Sequence, residues 1–258
     1  MTNTTRADQR KGLAVLAFVA GTALAAIYGL AAAANETNQD PTTMRSSQAL
    51  TQKQQSIAPI AAATAIGDLP RLNTALNQGL DAGLTISDTK EILVQMYAYA
   101  GFPRSLNALG ELMKVLDARR QRGVQDAPGR DPAAVPAGKE LLALGTANQT
   151  KLSGAPVKGA LFEFAPAIDE YLKTHLFGDI FARDNLDWQS RELATVGALS
   201  AMAGVESQLL AHINIGMNVG LTASQLRSVS DELAQRGLAE AASRVRAALD
   251  KKAVDATR

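Results

Sequence analysis

The sequence has no cysteine and only two histidines, His175 and His212. The first absence removes disulfides, thiolate zinc sites, iron–sulfur clusters and any cysteine nucleophile; the second leaves too few imidazoles for a histidine metal site. Aromatic residues make up only 4% of the chain, and an excess of one charge is also missing, because 26 Lys and Arg against 25 Asp and Glu leave a net +1. So balanced a chain has no basic field to recruit nucleic acid by counterion release, and nucleic acid is not an expected partner. Phosphate loop, dinucleotide fingerprint, zincin helix and nucleophile elbow are all absent, so neither a nucleotide cofactor nor a metal is expected. What remains for chemistry is carboxylates, hydroxyls, arginines and two imidazoles. Of 258 residues, 47% are hydrophobic and 20% charged, which suits a globular protein with one core or two small ones.

The N-terminal segment stands apart. Arg6, Arg10 and Lys11 precede an uncharged run from Gly12 to Ala34, which ends in Ala32-Ala33-Ala34 before Asn35-Glu36-Thr37. This is the layout of a signal peptide, residues 1–34, and the run is also long enough to remain as an anchor. Small residues at its end and cations on its N-terminal side favour cleavage and a periplasmic or secreted mature chain. Retention would anchor the chain to the inner membrane by residues 12–34, the one case in which a membrane is a partner.

From about Ser56 the sequence reads as helix after helix, without the period-2 alternation of strands. Ser87 to Tyr99 sets Ile92, Leu93 and Met96 at helical spacing on one apolar face. Gly83 and Gly220 each follow an apolar helical stretch and precede Leu-Thr, which is how a helix ends at a C′ glycine and the next begins at a threonine N-cap. Pro128, Pro132 and Pro136 with three glycines mark residues 119–138 as a linker. An aromatic concentration follows, Phe162, Phe164, Tyr171, Phe177, Phe181 and Trp188, and reads mostly as core.

The two glycine corners expose an internal repeat. Gly79-Leu80-Asp81-Ala82-Gly83-Leu84-Thr85 aligns with Gly216-Met217-Asn218-Val219-Gly220-Leu221-Thr222 at an offset of 137, and Gly67, Leu72 and Asn77 fall on Gly204, Leu209 and Asn214. Ile92 meets Val229 at the same offset, and Gly101 meets Gly237 after a one-residue slip. The chain is therefore expected to be all-α, a duplicated helical module. Leu93, Met96 and Tyr97 in one half and Val229 in the other are expected on exposed faces that are buried between protomers of a homo-oligomer.

The stretch from Glu91 to Ala108, with Tyr99-Ala100-Gly101-Phe102-Pro103-Arg104 within it, resembles the signature of the carboxymuconolactone decarboxylase family. So does Arg191-Glu192-Leu193-Ala194-Thr195 followed by Gln208-Leu209-Leu210-Ala211-His212. The resemblance covers both halves, residues 54–118 and 165–250. It implies the all-α fold of alkylhydroperoxidase D-like proteins, assembled as rings, and a cofactor-free loss of carbon dioxide from 4-carboxymuconolactone. The redox branch of that family carries a Cys-x-x-Cys pair just before the histidine. Val205 and Gln208 stand at those positions here, so thiol peroxidase chemistry is excluded by the residues themselves.

His212 is the first candidate for catalysis. Gln208 and Gly216, one turn to either side, place an amide, an imidazole and a gap on one helix stripe. A packed helix histidine is the plainer reading. Glu192 is the second candidate: its position after the N-cap Asp187 suits a first-turn carboxylate, whereas the resemblance sets it across a helical hairpin from His212 as an acid–base partner. His175 and Arg183 are candidates for closing a pocket over the His212 helix, with the Arg183 fork on a substrate carboxylate. Gln208 and Arg104 complete the substrate-binding candidates, Arg104 reading equally as the support of a structural corner after Gly101-Phe102-Pro103. Three functions stay open at this point: a cofactor-free lyase or isomerase acting on a small carboxylated lactone or related organic acid, a non-catalytic small-acid binding protein, and a structural oligomeric module.

Overall fold

Two helices, buried all round through most of their length, form the centre of the described fold. They are seen in a computed structural model that describes residues 49–255. The signal-type segment, residues 1–34, lies outside the described residues. Helix α1, Gln52–Ile66, starts from a capping box in which Thr51 and Gln54 satisfy each other's backbone N–H, and every residue from Ser56 to Ala65 is buried. Helix α9, Trp188–Ala201, is capped by Asp187, which accepts from the Ser190 N–H at 2.8 Å, and is buried from Ser190 to Ser200. A helix covered all round must sit at the middle of a larger assembly of helices. The two pack so closely that a Cβ on Gly197 of α9 would lie 2.4 Å from the Ala58 carbonyl oxygen of α1.

Each central helix leads its own repeat. After α1 come α2 (Leu69–Asp81), α3 (Ile86–Gln95), the single turn α4 (Tyr97–Ala100) and α5 (Phe102–Gln121). After α9 come α10 (Glu206–Asn218), α11 (Ala223–Gln235) and α12 (Ala239–Asp255). Gln52, Leu69, Ile86 and Phe102 are answered by Trp188, Glu206, Ala223 and Ala239, so the repeat seen in the sequence is a repeat of helices. At the two corners Gly83 and Gly220 take φ of 94° and 101°, a conformation open to glycine, and Thr85 and Thr222 then each open a capping box.

One hydrophobic core runs through both repeats, from Ile57, Ile60, Leu72 and Leu76 to Leu193, Leu209, Ile213 and Leu233. Leu93, Met96 and Val229, expected on exposed faces, belong to this core and are fully enclosed. Their apolar face meets the other helices of the same chain. The exposed large apolar residues are others, among them Phe102, Leu106 and Met113 on α5.

Between the repeats, α5 continues through Gln121, three residues into the stretch read as linker, and a non-helical segment follows to Gly138. This segment is strapped to α3: the Ile86 and Ser87 N–H groups donate to the Ala127 and Pro128 carbonyls. Helix α6 (Lys139–Ser153), the short α7 (Ala160–Phe164) and α8 (Pro166–Tyr171), and a π-helix (Leu172–Ile180) complete the insertion. Leu152, Leu176, Phe177, Ile180 and Phe181 pack with Ile215 of α10 in a second, smaller cluster. Phe177 and Phe181 are thus core, as their composition suggests. Phe164 and Tyr171 are not, being 89% and 63% exposed on short helices outside that cluster. Among the described residues no helix is long and apolar enough to cross a membrane.

Candidate functional site

The α9–α10 hairpin brings the first two candidates together. Glu192 lies near the start of α9, the chain turns at Gly204 with φ 80°, and α10 returns carrying His212. His212 Nδ1 stands 2.8 Å from Glu192 Oε2. A carboxylate accepts, so Nδ1 is the donor and Nε2 is left to exchange a proton with a bound molecule. Glu192 is fully buried and His212 is 8% exposed, while the second carboxylate oxygen, Oε1, has no hydrogen-bond partner. The first-turn surface role for Glu192 is therefore not the one the fold uses.

A third side chain arrives from the other repeat. Tyr99 of α4 stands edge-on to the His212 ring, centroids 5.5 Å apart and planes at 80°. Its hydroxyl is buried without a hydrogen bond. Burial, and after it the negative charge of Glu192, push the phenol up from its ordinary value. Thr195 lies close enough to counter this slightly, but its hydroxyl is engaged elsewhere: it donates to the Arg191 carbonyl at 3.0 Å and accepts from Gln95 Nε2 at 2.8 Å.

Beside this group an ionic network ties the repeats together. Arg191 and Glu91 are both buried, and Arg191 Nη2 donates to Glu91 Oε1 at 2.9 Å and to the Arg183 carbonyl at 2.7 Å. Arg183 Nε reaches the same Glu91 oxygen at 2.8 Å, and Asn185 donates to the other at 3.1 Å. Burial opposes the Glu91 charge, but the hydrogen bonds from Arg183, Arg191 and Asn185 and the charge of Arg191 outweigh it and hold the carboxyl below its usual range.

The remaining candidates are dispersed. Arg183 is committed through Nε to Glu91 and lines a groove of about 380 Å³ with Trp188, Asp184 and Asn148. His175, in the π-helix, holds Asp179 through Nδ1 at 2.7 Å and Tyr97 through Nε2, a second histidine–carboxylate pair on a more exposed surface. Gln208 is exposed and accepts from the Ser207 hydroxyl at 2.9 Å. Arg104 is exposed and lies over the Gly67 corner, where a Cβ would overlap its guanidinium. Among the described residues no group of three His, Asp or Glu converges as a metal site.

The family model of the carboxymuconolactone decarboxylase family matches residues 42–113 and 166–251, one stretch on each repeat. The chain belongs to this family. It is a tandem member, and the Glu192–His212 pair falls within the second matched stretch. No curated protein matches the chain closely enough to add a named relative. Within the carboxymuconolactone decarboxylase framework the sequence pointed to Glu192 and His212. It left Tyr99 inside the Tyr99–Arg104 motif with no role, and it gave no sign of the Arg191–Glu91 pair, whose members are 100 residues apart.

Proposed function

We propose that this chain is a cofactor-free lyase acting on a small carboxylated lactone or a related unsaturated acid, with His212 as the acid and Glu192 holding its ring. What supports this reading is one observation: a histidine hydrogen-bonded through Nδ1 to a fully buried carboxylate, inside a family stretch that lacks the cysteine pair. In the proposed step the bond between ring carbon and carboxylate breaks, carbon dioxide leaves, and the electron pair passes into the conjugated lactone carbonyl as a dienolate. His212 then gives its Nε2 proton to carbon and takes another from solvent, so one proton is consumed per carbon dioxide released. Glu192 keeps the proton on Nδ1 and steadies the imidazolium, the part an orienting carboxylate plays in any acid–base pair.

The same reading includes export directed by Arg6, Arg10, Lys11 and the run to Ala34, for which N-terminal sequencing of the secreted or periplasmic protein is the check. It also includes a homo-oligomer. The chemistry is tested on purified full-length protein with a panel of carboxylated muconolactones and small unsaturated acids. Release of carbon dioxide from a lactone acid, lowered about 10²-fold or more in His212→Gln, is expected. Turnover unaffected by that substitution would remove His212 from the mechanism, and ligand-induced melting shifts without turnover would favour a binding protein instead.

A further inference from the structure

Tyr99 stands edge-on to the His212 ring and has no part in the step just described. Its hydroxyl is buried and makes no hydrogen bond, although buried polar groups in folded proteins nearly always find a partner. A buried donor with no partner beside a histidine–carboxylate pair is what a site looks like before its ligand arrives. We propose that Tyr99, supplied by the first repeat, donates its hydroxyl hydrogen to the lactone carbonyl oxygen on which negative charge develops while His212 protonates carbon. This rests on the acid–base reading of His212 and Glu192.

The internal repeat offers a comparison for this position. Ala75 and Arg236 occupy the positions that answer His212 and Tyr99 at the offset of 137, again one residue from each repeat. Both line one groove of about 570 Å³, with Arg71, Thr74, Gln78 and Leu238 around it. In that copy of the duplicated fold a groove opens where the second helix of the first repeat faces the end of α11 in the second. In one copy the two residues are alanine and arginine; in the other they are His212 and Tyr99.

The chemistry narrows the ligand. The Tyr99 phenol is held in its protonated form by burial and by the Glu192 charge, so it can only donate usefully to an acceptor, and Thr195 does not supply one. With Glu192 close by, a neutral carbonyl is a better occupant of that position than a second carboxylate. On the lactone-acid reading of the site, that acceptor is the ring carbonyl of the lactone. A donor aimed at such an oxygen gains strength as charge builds on it, the behaviour of oxyanion-hole groups.

Tyr99→Phe keeps the ring and its contact with His212 and removes only the hydroxyl. With 4-carboxymuconolactone as the probe, kcat is expected to fall about 10²- to 10³-fold with KM little changed. The melting temperature is expected to stay or rise, because an unpaired buried hydroxyl has been deleted. His212→Gln measured alongside separates the two claims: its loss of activity with a fully active Tyr99→Phe overturns the Tyr99 role and leaves the acid–base pair standing. If the wild type turns over no lactone acid, calorimetric binding of muconolactone carries the test. Tenfold weaker binding by Tyr99→Phe then upholds the donor without the reaction, and equal binding or none overturns it. Should Tyr99→Phe fail to fold, tyrosine labelled with carbon-13 at Cζ in the wild type answers the same question: muconolactone shifts the Tyr99 resonance if the phenol donates to it and leaves it in place if not.

Discussion

His212 and Glu192 are 20 residues apart in sequence, and the α9–α10 hairpin returns them to within 2.8 Å, Nδ1 to Oε2, with Oε1 left unpartnered. A buried carboxylate with one unsatisfied oxygen is costly to the fold, so its presence implies a use other than stability. Glu192→Gln keeps the shape and an acceptor for Nδ1 but removes the negative charge beside the ring. Turnover of a lactone acid is expected to drop about 10²-fold while the thermal midpoint is unchanged or higher. A variant that melts well below the wild type and keeps its rate would show a structural carboxylate.

The Arg191–Glu91 pair makes the opposite prediction. Each side chain is enclosed, and each comes from a different repeat. Arg191→Ala leaves the buried Glu91 charge to Arg183 and Asn185 alone and is expected to cost about 1–3 kcal/mol in denaturant unfolding, whereas replacing Arg191 and Glu91 together by apolar residues of similar volume costs less. Equal losses for the single and the double change would mean that packing, not charge pairing, sets the cost.

The same carboxylate sets a pH dependence. The partners of Glu91 hold its folded-state pKa below the ordinary glutamate value of 4.5, so its contribution to stability is complete above that value and is lost as pH falls through the lower, folded one. Asp88 acts in the same sense: burial opposes its charge, but hydrogen bonds from Lys53 and Thr85 outweigh that effect. Unfolding midpoints are expected to be flat from pH 7 to about 5 and to fall below about 4.5. Glu91→Gln should lower the neutral-pH midpoint and flatten the acid limb; an unchanged acid limb would assign the loss to other groups.

These relationships differ in how far the sequence displays them. The corners at Gly83 and Gly220 were legible because a C′ glycine followed by a threonine cap is local chemistry, complete within a few residues. His212 stood out by scarcity, and Glu192 by lying one hairpin away. The inward position of Leu93, Met96 and Val229 was not legible. An apolar stripe says which side of a helix avoids water, but not whether the covering surface is the other repeat or another protomer. Tyr99 and the Arg191–Glu91 pair depend on how α1 and α9 bring the repeats together, and no local pattern records that.

With those residues enclosed, the homo-oligomer proposed above needs another surface. Phe102, Leu106 and Met113 are exposed and lie on one face of α5, and Tyr97 stacks on Phe102 with centroids 4.5 Å apart. A stripe of large apolar side chains on one helix is the usual mark of a protein interface. Light scattering at micromolar protein is expected to give a multiple of the monomer mass, and Leu106→Glu to reduce it to the monomer. A wild type of monomer mass would rule this out.

Gly197 tests whether the central crossing sets the site. On α9, a Cβ there would lie 2.4 Å from the Ala58 carbonyl oxygen and 2.7 Å from its Cα, both backbone atoms that no rotamer change can move aside. Gly197→Ala must therefore push α1 and α9 apart, and a cost of about 1–3 kcal/mol is expected from such overpacking. Because Glu192 rides on α9 and Tyr99 comes from the repeat led by α1, the displacement should also separate the Tyr99 and His212 rings and lower turnover. Gly110, inside α5, supplies the control: a Cβ there meets nothing within 4 Å. Gly110→Ala should stabilise the protein by about 0.5–1 kcal/mol through helix propensity and leave activity alone. If Gly197→Ala is as harmless as Gly110→Ala in both melting and turnover, the crossing has slack and the geometry of the His212 site is set by the α9–α10 hairpin alone.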